Sequence, residues 1–270
     1  MTNQIDKSQI PVVILCGGKG TRLKEETEVI PKPLVKIGGK PILWHIMKIY
    51  RAFGFTKFIL PVGYKGEMIK EYFLNYPALQ SDFTINLAGF QERKTIFHNP
   101  DNIEDWEVTI IDTGLDSLTG ARVKKAEKFI KNKLFMLTYG DGVANVNLDA
   151  LLDFHLNQGK PATVTGVRLP SRFGELVIEA DKATNFLEKT SIKTSYINGG
   201  FFVMDKDIFE FFSDQKNLNL ESELLPKIAK NGQLSVFRHE GYWQCMDTLR
   251  DVEYLNKEWE SGEAPWKIWP

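Results

Sequence analysis

The run Gly17-Gly18-Lys19-Gly20-Thr21-Arg22, followed by Pro31-Lys32-Pro33, sets a pliable backbone beside one guanidinium and two ammonium groups. Glycines let backbone N–H groups approach a ligand with no Cβ in the way. Successive amides in such a turn form an anion-binding concavity. Arg22 adds a planar fork of donors that matches phosphate oxygens, and Lys32 adds a compact point charge. This set of groups can hold a polyphosphate. It is not a Walker A loop, because Gly18-Lys19 is followed by Gly20 and position 13 is valine. It is not a dinucleotide fingerprint either, because Gly18-x-Gly20 leads to Leu23. On the glycines alone, a tight strand-to-helix turn without a ligand fits equally well; Arg22 and Lys32 tip the reading to a phosphate site.

A second group of candidates lies at strand ends. Asp141 follows the apolar run Leu134-Phe135-Met136-Leu137-Thr138 through Tyr139-Gly140. In open parallel sheets ligands bind beyond the carboxyl ends of strands, the same edge as the loop after Leu15. A carboxylate beside a polyphosphate needs a cation between them, and Mg²⁺ takes a few carboxylates plus phosphate oxygens. Taken alone, Asp141 fits an Asx-turn or helix cap better. Asp247, in Tyr242-Trp243-Gln244-Cys245-Met246-Asp247-Thr248, is a candidate second ligand and equally a cap for a helix starting near Thr248. Glu188 could accept from sugar hydroxyls and Lys189 could hold a second phosphate, although a Glu-Lys pair is ordinarily surface charge. Asn198-Gly199-Gly200, ahead of Phe201-Phe202-Val203, suggests a bulge or a close backbone approach to a ligand.

These groups need a scaffold. Val12 to Leu15 reads as a buried parallel strand. Ile42 to Phe53 carries a helical apolar pattern between Pro41 and Gly54. Lys57 to Val62 reads as a strand and Glu67 to Tyr76 as a helix, so the order is strand–helix–strand–helix and the sheet parallel with right-handed crossovers. Further strands are expected at Phe83 to Leu87, Glu107 to Asp112, Leu134 to Thr138, Ala162 to Val167, Gly174 to Ile178 and Gly200 to Met204. Helices are expected at Leu148 to Leu156 and Thr248 to Trp259, with an amphipathic stretch from Leu220 to Asn231 and a polar, irregular insertion or flap from Gln91 to Asp105.

The chain has 270 residues, 43% hydrophobic and 26% charged, enough for one large α/β domain with a full core. A net charge of −1 gives no global basic field to recruit nucleic acid. Cys16 and Cys245, the two cysteines, form no disulfide framework or metal spacing. The four histidines, His45, His98, His155 and His239, are scattered without ligand spacing and read as packing or surface residues. The start of the chain lacks an apolar signal core and no apolar run approaches membrane-spanning length, so the expected location is cytoplasmic, with no membrane partner.

Leu15-Cys16-Gly17-Gly18-Lys19-Gly20-Thr21-Arg22-Leu23 with Pro31-Lys32-Pro33 resembles the signature of the sugar-1-phosphate nucleotidyltransferase family. Gly63-Tyr64-Lys65-Gly66, Asp112-Thr113-Gly114, Leu118-Thr119-Gly120-x-Arg122, Tyr139-Gly140-Asp141-Gly142 and Met246-Asp247-Thr248-Leu249-Arg250-Asp251 extend it over residues 12 to 269. They resemble most the branch that uses CTP and glucose 1-phosphate. The resemblance implies a Rossmann-like α/β fold: a mixed, mostly parallel sheet with helices on both faces and a small sugar-binding β portion. It implies a single domain with a nucleotide half at about 10–145, a sugar-phosphate half at about 146–260 and a tail at 261–270. Arg22 and the segment from Leu15 and Cys16 through Gly17, Gly18, Lys19, Gly20 and Thr21 would hold the nucleotide. Thr113, Thr119, Gly120 and Arg122 would face the cytosine. Asp141 and Asp247 would bind Mg²⁺. Lys32 and Lys189 would hold the sugar phosphate, and Gly174, Glu188, Asn198 and Gly199 would line the sugar side. A homo-oligomer is implied, with a hexamer as the candidate assembly. Two positions depart from the family pattern, Thr190 and Cys245, each standing where proline is expected. The tail tryptophans, Trp266 and Trp269, are expected to pack on the body or at a subunit contact.

Overall fold

Val12–Leu15 is buried along its whole length and stands inside an eight-stranded sheet. The coordinates are a computed structural model that describes residues 5–87, 94–99, 101, 103–168, 175–179, 182–187, 195–213 and 217–270. Val12–Leu15 pairs in parallel with Lys57–Val62 on one side and Leu134–Tyr139 on the other, and Lys57–Val62 pairs in parallel with Glu107–Asp112. Beyond Leu134–Tyr139 come Phe202–Asp205, antiparallel, then Ala162–Val167, which also pairs with Ile197–Asn198 and Leu234–His239. The sheet is thus mixed and mostly parallel.

Side chains of adjacent strand residues point to opposite faces, and two cores result. Val12, Ile14 and Cys16 join the Ile42–Ala52 and Leu249–Glu260 helices, whereas Val13 and Leu15 join the Thr119–Ala126 and Leu225–Lys230 helices. Helices therefore cover both faces, as a strand apolar on both sides requires.

The structure differs from the sequence expectations in several places. Phe83–Ile85 leaves the main sheet and forms an exposed hairpin with Thr95–Phe97, inside the stretch expected to be irregular. Thr119–Ala126 is a helix where only a motif was legible, and Leu234–His239 is a strand that no alternation announced. The amphipathic stretch opens with a wide π-type turn, Leu220–Leu224, before the α-helix Leu225–Lys230. The strand expected from Gly174 is Glu175–Glu179, paired with Lys182–Leu187 apart from the main sheet; Gly174 itself lies outside the described residues.

The tail packs on the body. Trp266 is fully buried and Trp269 nearly so, in an aromatic cluster with Trp44, His45 and Trp259. His45 Nε2 lies 2.8 Å from the Ile37 carbonyl and Nδ1 lies 3.4 Å from Trp266 Nε1. The indole can only donate, so Nδ1 accepts, Nε2 carries the proton and the ring is neutral. Burial pushes the His45 pKa down to about 4, with the Lys40 ammonium adding to it. An imidazole that stays neutral in the fold but protonates when unfolded removes stability as pH falls from about 6.5 toward 4. Trp266→Ala is expected to cost about 3–5 kcal/mol, read as a lower urea midpoint; an unchanged midpoint would contradict the docked tail.

Candidate functional site

The strand registers bring the candidate residues to one edge. Leu15 is level with Tyr139 and Val62 with Asp112, so the glycine loop, Gly140-Asp141 and Thr113-Gly114 leave the sheet side by side. Gly140 N–H donates to the Leu15 carbonyl at 3.1 Å. A Cβ on Gly140 would lie 2.7 Å from that oxygen, so only glycine permits this approach. Gly20 has φ +61°, and Thr27 Oγ1 donates to its carbonyl at 3.0 Å, which holds the loop open over the first short helix, Lys24–Thr27.

Asp247 arrives from far along the chain on a two-stranded ribbon. Trp243–Cys245 pairs antiparallel with Gly142–Ala144, and Met246 N–H donates to the Asp141 carbonyl at 2.8 Å. The cap of the following helix is Thr248, with Asp251 completing a capping box. The Asp247 side chain is therefore not spent on the helix and points to the cleft cations. Lys32 Nζ sits 2.6 Å from Asp141 Oδ2 and 2.6 Å from Asp247 Oδ1. Arg22 Nη1 lies 2.6 Å from Asp247 Oδ2. The four groups proposed from sequence as the reacting set, Arg22, Lys32, Asp141 and Asp247, thus form one cluster.

The electrostatics of the cluster are self-consistent. Burial works against the Lys32 ammonium, but Asp141 and Asp247 outweigh it and hold its pKa above the ordinary lysine value. Burial also works against the Asp247 carboxylate, yet Lys32 and Arg22 hold its pKa below the ordinary value. A raised lysine contributes stability that is lost only as pH rises through its folded pKa. A depressed aspartate contributes stability that is lost only as pH falls through its own. Both contributions are present at neutral pH. The cleft around the cluster has a volume of about 610 Å³ and is lined by the cations Lys19, Arg22, Lys32 and Arg122 and by Asp116, Asp141 and Asp247. Lys19 makes a 3.4 Å exposed contact with Asp116, and Thr21 is exposed.

Arg122 is the residue whose surroundings sequence reasoning least anticipated. Its guanidinium is buried and donates to the carbonyls of Gly17, Val62, Gly114 and Leu115, at 2.9–3.3 Å, and to Thr113 Oγ1. A Cβ on Gly17 or Gly63 would overlap it, at 2.1 and 2.4 Å. Two glycines thus make room for a cation that ties the glycine loop to the neighbouring strand ends. Burial lowers its pKa, against the pull of Asp112, without bringing it near neutrality. Thr113 Oγ1 donates to the Val62 carbonyl at 2.6 Å.

Thr119 Oγ1 donates to Glu221 Oε2 at 2.6 Å, and Gly120 is pressed against Leu218 and Leu220, where a Cβ would lie 2.9 Å from the Leu218 carbonyl. Asn198 Nδ2 donates to the Tyr139 hydroxyl at 2.8 Å, and the Gly199 carbonyl accepts from Trp243 Nε1 at 2.7 Å. Glu188 and Lys189, like Gly174, lie outside the described residues. Cys16 is buried and its thiol is held far above the usual pKa by burial and by Asp141; Cys245, half-buried, is pushed up to about 11 by burial and by Asp247 and Asp141. Both are therefore thiols rather than reactive thiolates at neutral pH. Asn219, which also lines the cleft, and Glu221, which accepts from the cleft residues Thr119 and Tyr139, carried no motif in the sequence.

Among the described residues no helix is long and apolar enough to cross a membrane. A relative from Salmonella typhi, named glucose-1-phosphate cytidylyltransferase, is 48% identical over 258 residues, covering 95% of this chain and 98% of its own. A relative from Campylobacter jejuni, named D-glycero-alpha-D-manno-heptose 1-phosphate guanylyltransferase, is 33% identical over 220 residues, covering 81% and 86%. The solved structure of HddC from Yersinia pseudotuberculosis superposes with a TM-score of 0.68 at 26% identity, covering 93% of this chain and 99% of that one. A family model described as nucleotidyl transferase matches residues 11–260. Both the match over nearly the whole chain and the two relatives above 30% identity lead to one conclusion: the chain belongs to the nucleotidyl transferase family.

Proposed function

We propose that this chain transfers the cytidylyl group of CTP to glucose 1-phosphate, giving CDP-glucose and pyrophosphate. The observation that carries the reading is the cluster in which Lys32 joins Asp141 and Asp247 beside the glycine loop. The choice of CTP and glucose 1-phosphate follows the Salmonella typhi relative, whose name states both the sugar phosphate and the cytidylyl group.

In this reading the amides of Gly17 to Thr21 and the Arg22 guanidinium hold the triphosphate. Lys32 neutralises charge on the reacting phosphates. A phosphate oxygen of glucose 1-phosphate attacks the α-phosphorus in line, forming a new P–O bond. The bond from the α-phosphorus to the α,β-bridging oxygen breaks, and its electron pair leaves with pyrophosphate. The attacking phosphate is already an anion, so no side chain needs to remove a proton, and catalysis is positioning plus charge stabilisation. Thr119 and Arg122, which line the cleft, would face the base, with Thr113 and Gly120 buried beside them, and Glu188 and Lys189 would take the sugar-phosphate role.

Mg²⁺ is the metal of this reading. Asp141 and Asp247 converge on a single cationic atom at 2.6 Å each, so one ion can reach both. Among the described residues no third His, Cys, Asp or Glu joins them. That donor set, two carboxylates with the rest left to phosphate oxygens and water, suits Mg²⁺. Bound there, the ion would supply charge neutralisation at the α-phosphate. Lys32 would give up part of its contact with the carboxylates to the incoming phosphates.

Supplying CTP labelled with ³²P at the α-position tests the reading. The label is expected in CDP-glucose, with unlabelled pyrophosphate released. Label in pyrophosphate, or no sugar nucleotide formed, would contradict it.

A further inference from the structure

Glu221 joins both walls of the cleft, although no motif marks it. Its Oε2 accepts from Thr119 Oγ1 at 2.6 Å and its Oε1 from the Tyr139 hydroxyl at 2.8 Å. Thr119 opens the helix that carries Arg122 and hence the clamp on Gly17. Tyr139 ends the strand that leads to Gly140-Asp141, and its hydroxyl also accepts from Asn198. One carboxylate therefore bridges the nucleotide-side helix and the strand that presents Asp141, with the Asn198 segment joined through the phenol.

The segment that presents Glu221 is held from several directions. The Asn219 side chain accepts from the amides of Glu221 and Ser222, at 2.9 and 2.8 Å, and Asn219 N–H donates to Glu223 at 3.0 Å. Leu220 N–H donates to Thr119 Oγ1 at 3.0 Å, and Ala121 N–H donates to the Leu218 carbonyl at 2.9 Å. Gly120 leaves no room between the helix and this segment. The backbone there forms the π-type turn Leu220–Leu224. Such turns are uncommon and recur at functional sites. The Tyr139 hydroxyl donates to Glu221 and accepts from Asn198, so both of its hydrogen-bonding roles are filled within the fold.

We infer that Glu221 is a positioning residue for the transfer reaction, setting the distance between the Thr119 wall and the Tyr139–Asp141 wall through its paired hydrogen bonds. The inference rests on the cytidylyl-transfer reading of the cleft. It acts through Thr119 and Tyr139 and touches no reacting atom. A carboxylate that accepts two hydrogen bonds in a partly buried place sets a stiff geometry, because each bond to a charged group is stronger than a neutral one.

Steady-state kinetics of the full chain test this, with Glu221→Ala, Glu221→Gln, Tyr139→Phe and the Glu221→Ala/Tyr139→Phe pair, each read alongside its thermal midpoint. Wild-type CDP-glucose formation is measured first; its absence counts against the reaction reading alone. Given an active wild type, Glu221→Ala is expected to raise the KM of CTP by about tenfold while kcat stays within about threefold. Glu221→Gln, which keeps an acceptor of the same shape, is expected to recover most of that loss and is the readout if the alanine variant folds poorly. The double variant is expected to lose little beyond the worse single one, since both changes break the same bridge. KM values within about twofold of wild type in Glu221→Ala and Glu221→Gln would overturn the inference. So would a fall in thermal midpoint with kinetics unchanged, or losses that simply multiply in the double variant.

Discussion

Asp141→Asn is expected to lower kcat by about 10³ or more, because a metal at the α-phosphate is worth several kcal/mol of transition-state stabilisation. The substitution keeps the shape of the side chain and removes only its charge. The ribbon that carries the site is held by backbone bonds, including Met246 N–H to the Asp141 carbonyl, so the fold should persist. Lys32 would keep Asp247 as its partner at 2.6 Å. The check is turnover at saturating CTP and Mg²⁺ beside the thermal midpoint and Mn²⁺ binding measured by electron paramagnetic resonance in the presence of CTP. Full activity with unimpaired Mn²⁺ binding would remove Asp141 from the metal site.

Arg22→Ala is the second large expectation, a loss of about 10² in turnover, as for removal of one fixed donor to a transition state. The Arg22 side chain is 77% exposed although it pairs with Asp247. An exposed pair of this kind adds at most about 1 kcal/mol to stability. Little stability should therefore be lost while the rate falls steeply. Lys32, only 12% exposed and between two carboxylates, is the opposite case. Removing it would leave two partly buried negative charges facing each other, so a rate loss there would mix with a structural one. Arg22 is the cleaner probe for that reason. A variant with near-wild-type turnover would exclude the guanidinium from the mechanism.

What was legible in the sequence follows the range over which each signal acts. The glycine loop, Arg22 and Lys32 lie within one strand–loop segment, so residue type and spacing sufficed to single out groups that line one cleft. The continuous apolar run from Val12 to Leu15 likewise forecast a strand buried on both faces. The meeting of Asp141 with Asp247 had no local signal. It depends on the pairing of Gly142–Ala144 with Trp243–Cys245; the residues themselves left Asp247 open between ligand and cap, and the family resemblance chose the ligand. The cap-or-ligand ambiguity at Asp247 turned on a single residue: Thr248 with Asp251 caps the helix, leaving the Asp247 carboxylate to Lys32 and Arg22.

Arg122 shows a different limit. An arginine in a Thr-Gly-x-Arg motif reads as a ligand contact, but here its donors go mainly to backbone carbonyls of three separate segments. The sequence signal was the glycines opposite it, Gly17 and Gly63, which only coordinates could connect to the guanidinium. Glu221 left still less trace, as one acid in an amphipathic stretch. Its importance comes from two partners contributed by distant elements. The strand expected at Phe83 is present as Phe83–Ile85, but β-type residues there mark a strand without saying which strand it pairs with.

The central claim, cytidylyl transfer onto glucose 1-phosphate, is tested most directly by pyrophosphate release from wild-type protein with glucose 1-phosphate and Mg²⁺, offering CTP, UTP, dTTP, ATP and GTP separately. The account predicts the highest kcat/KM with CTP, by about tenfold or more over each of the others. A higher kcat/KM with any other nucleotide would contradict it.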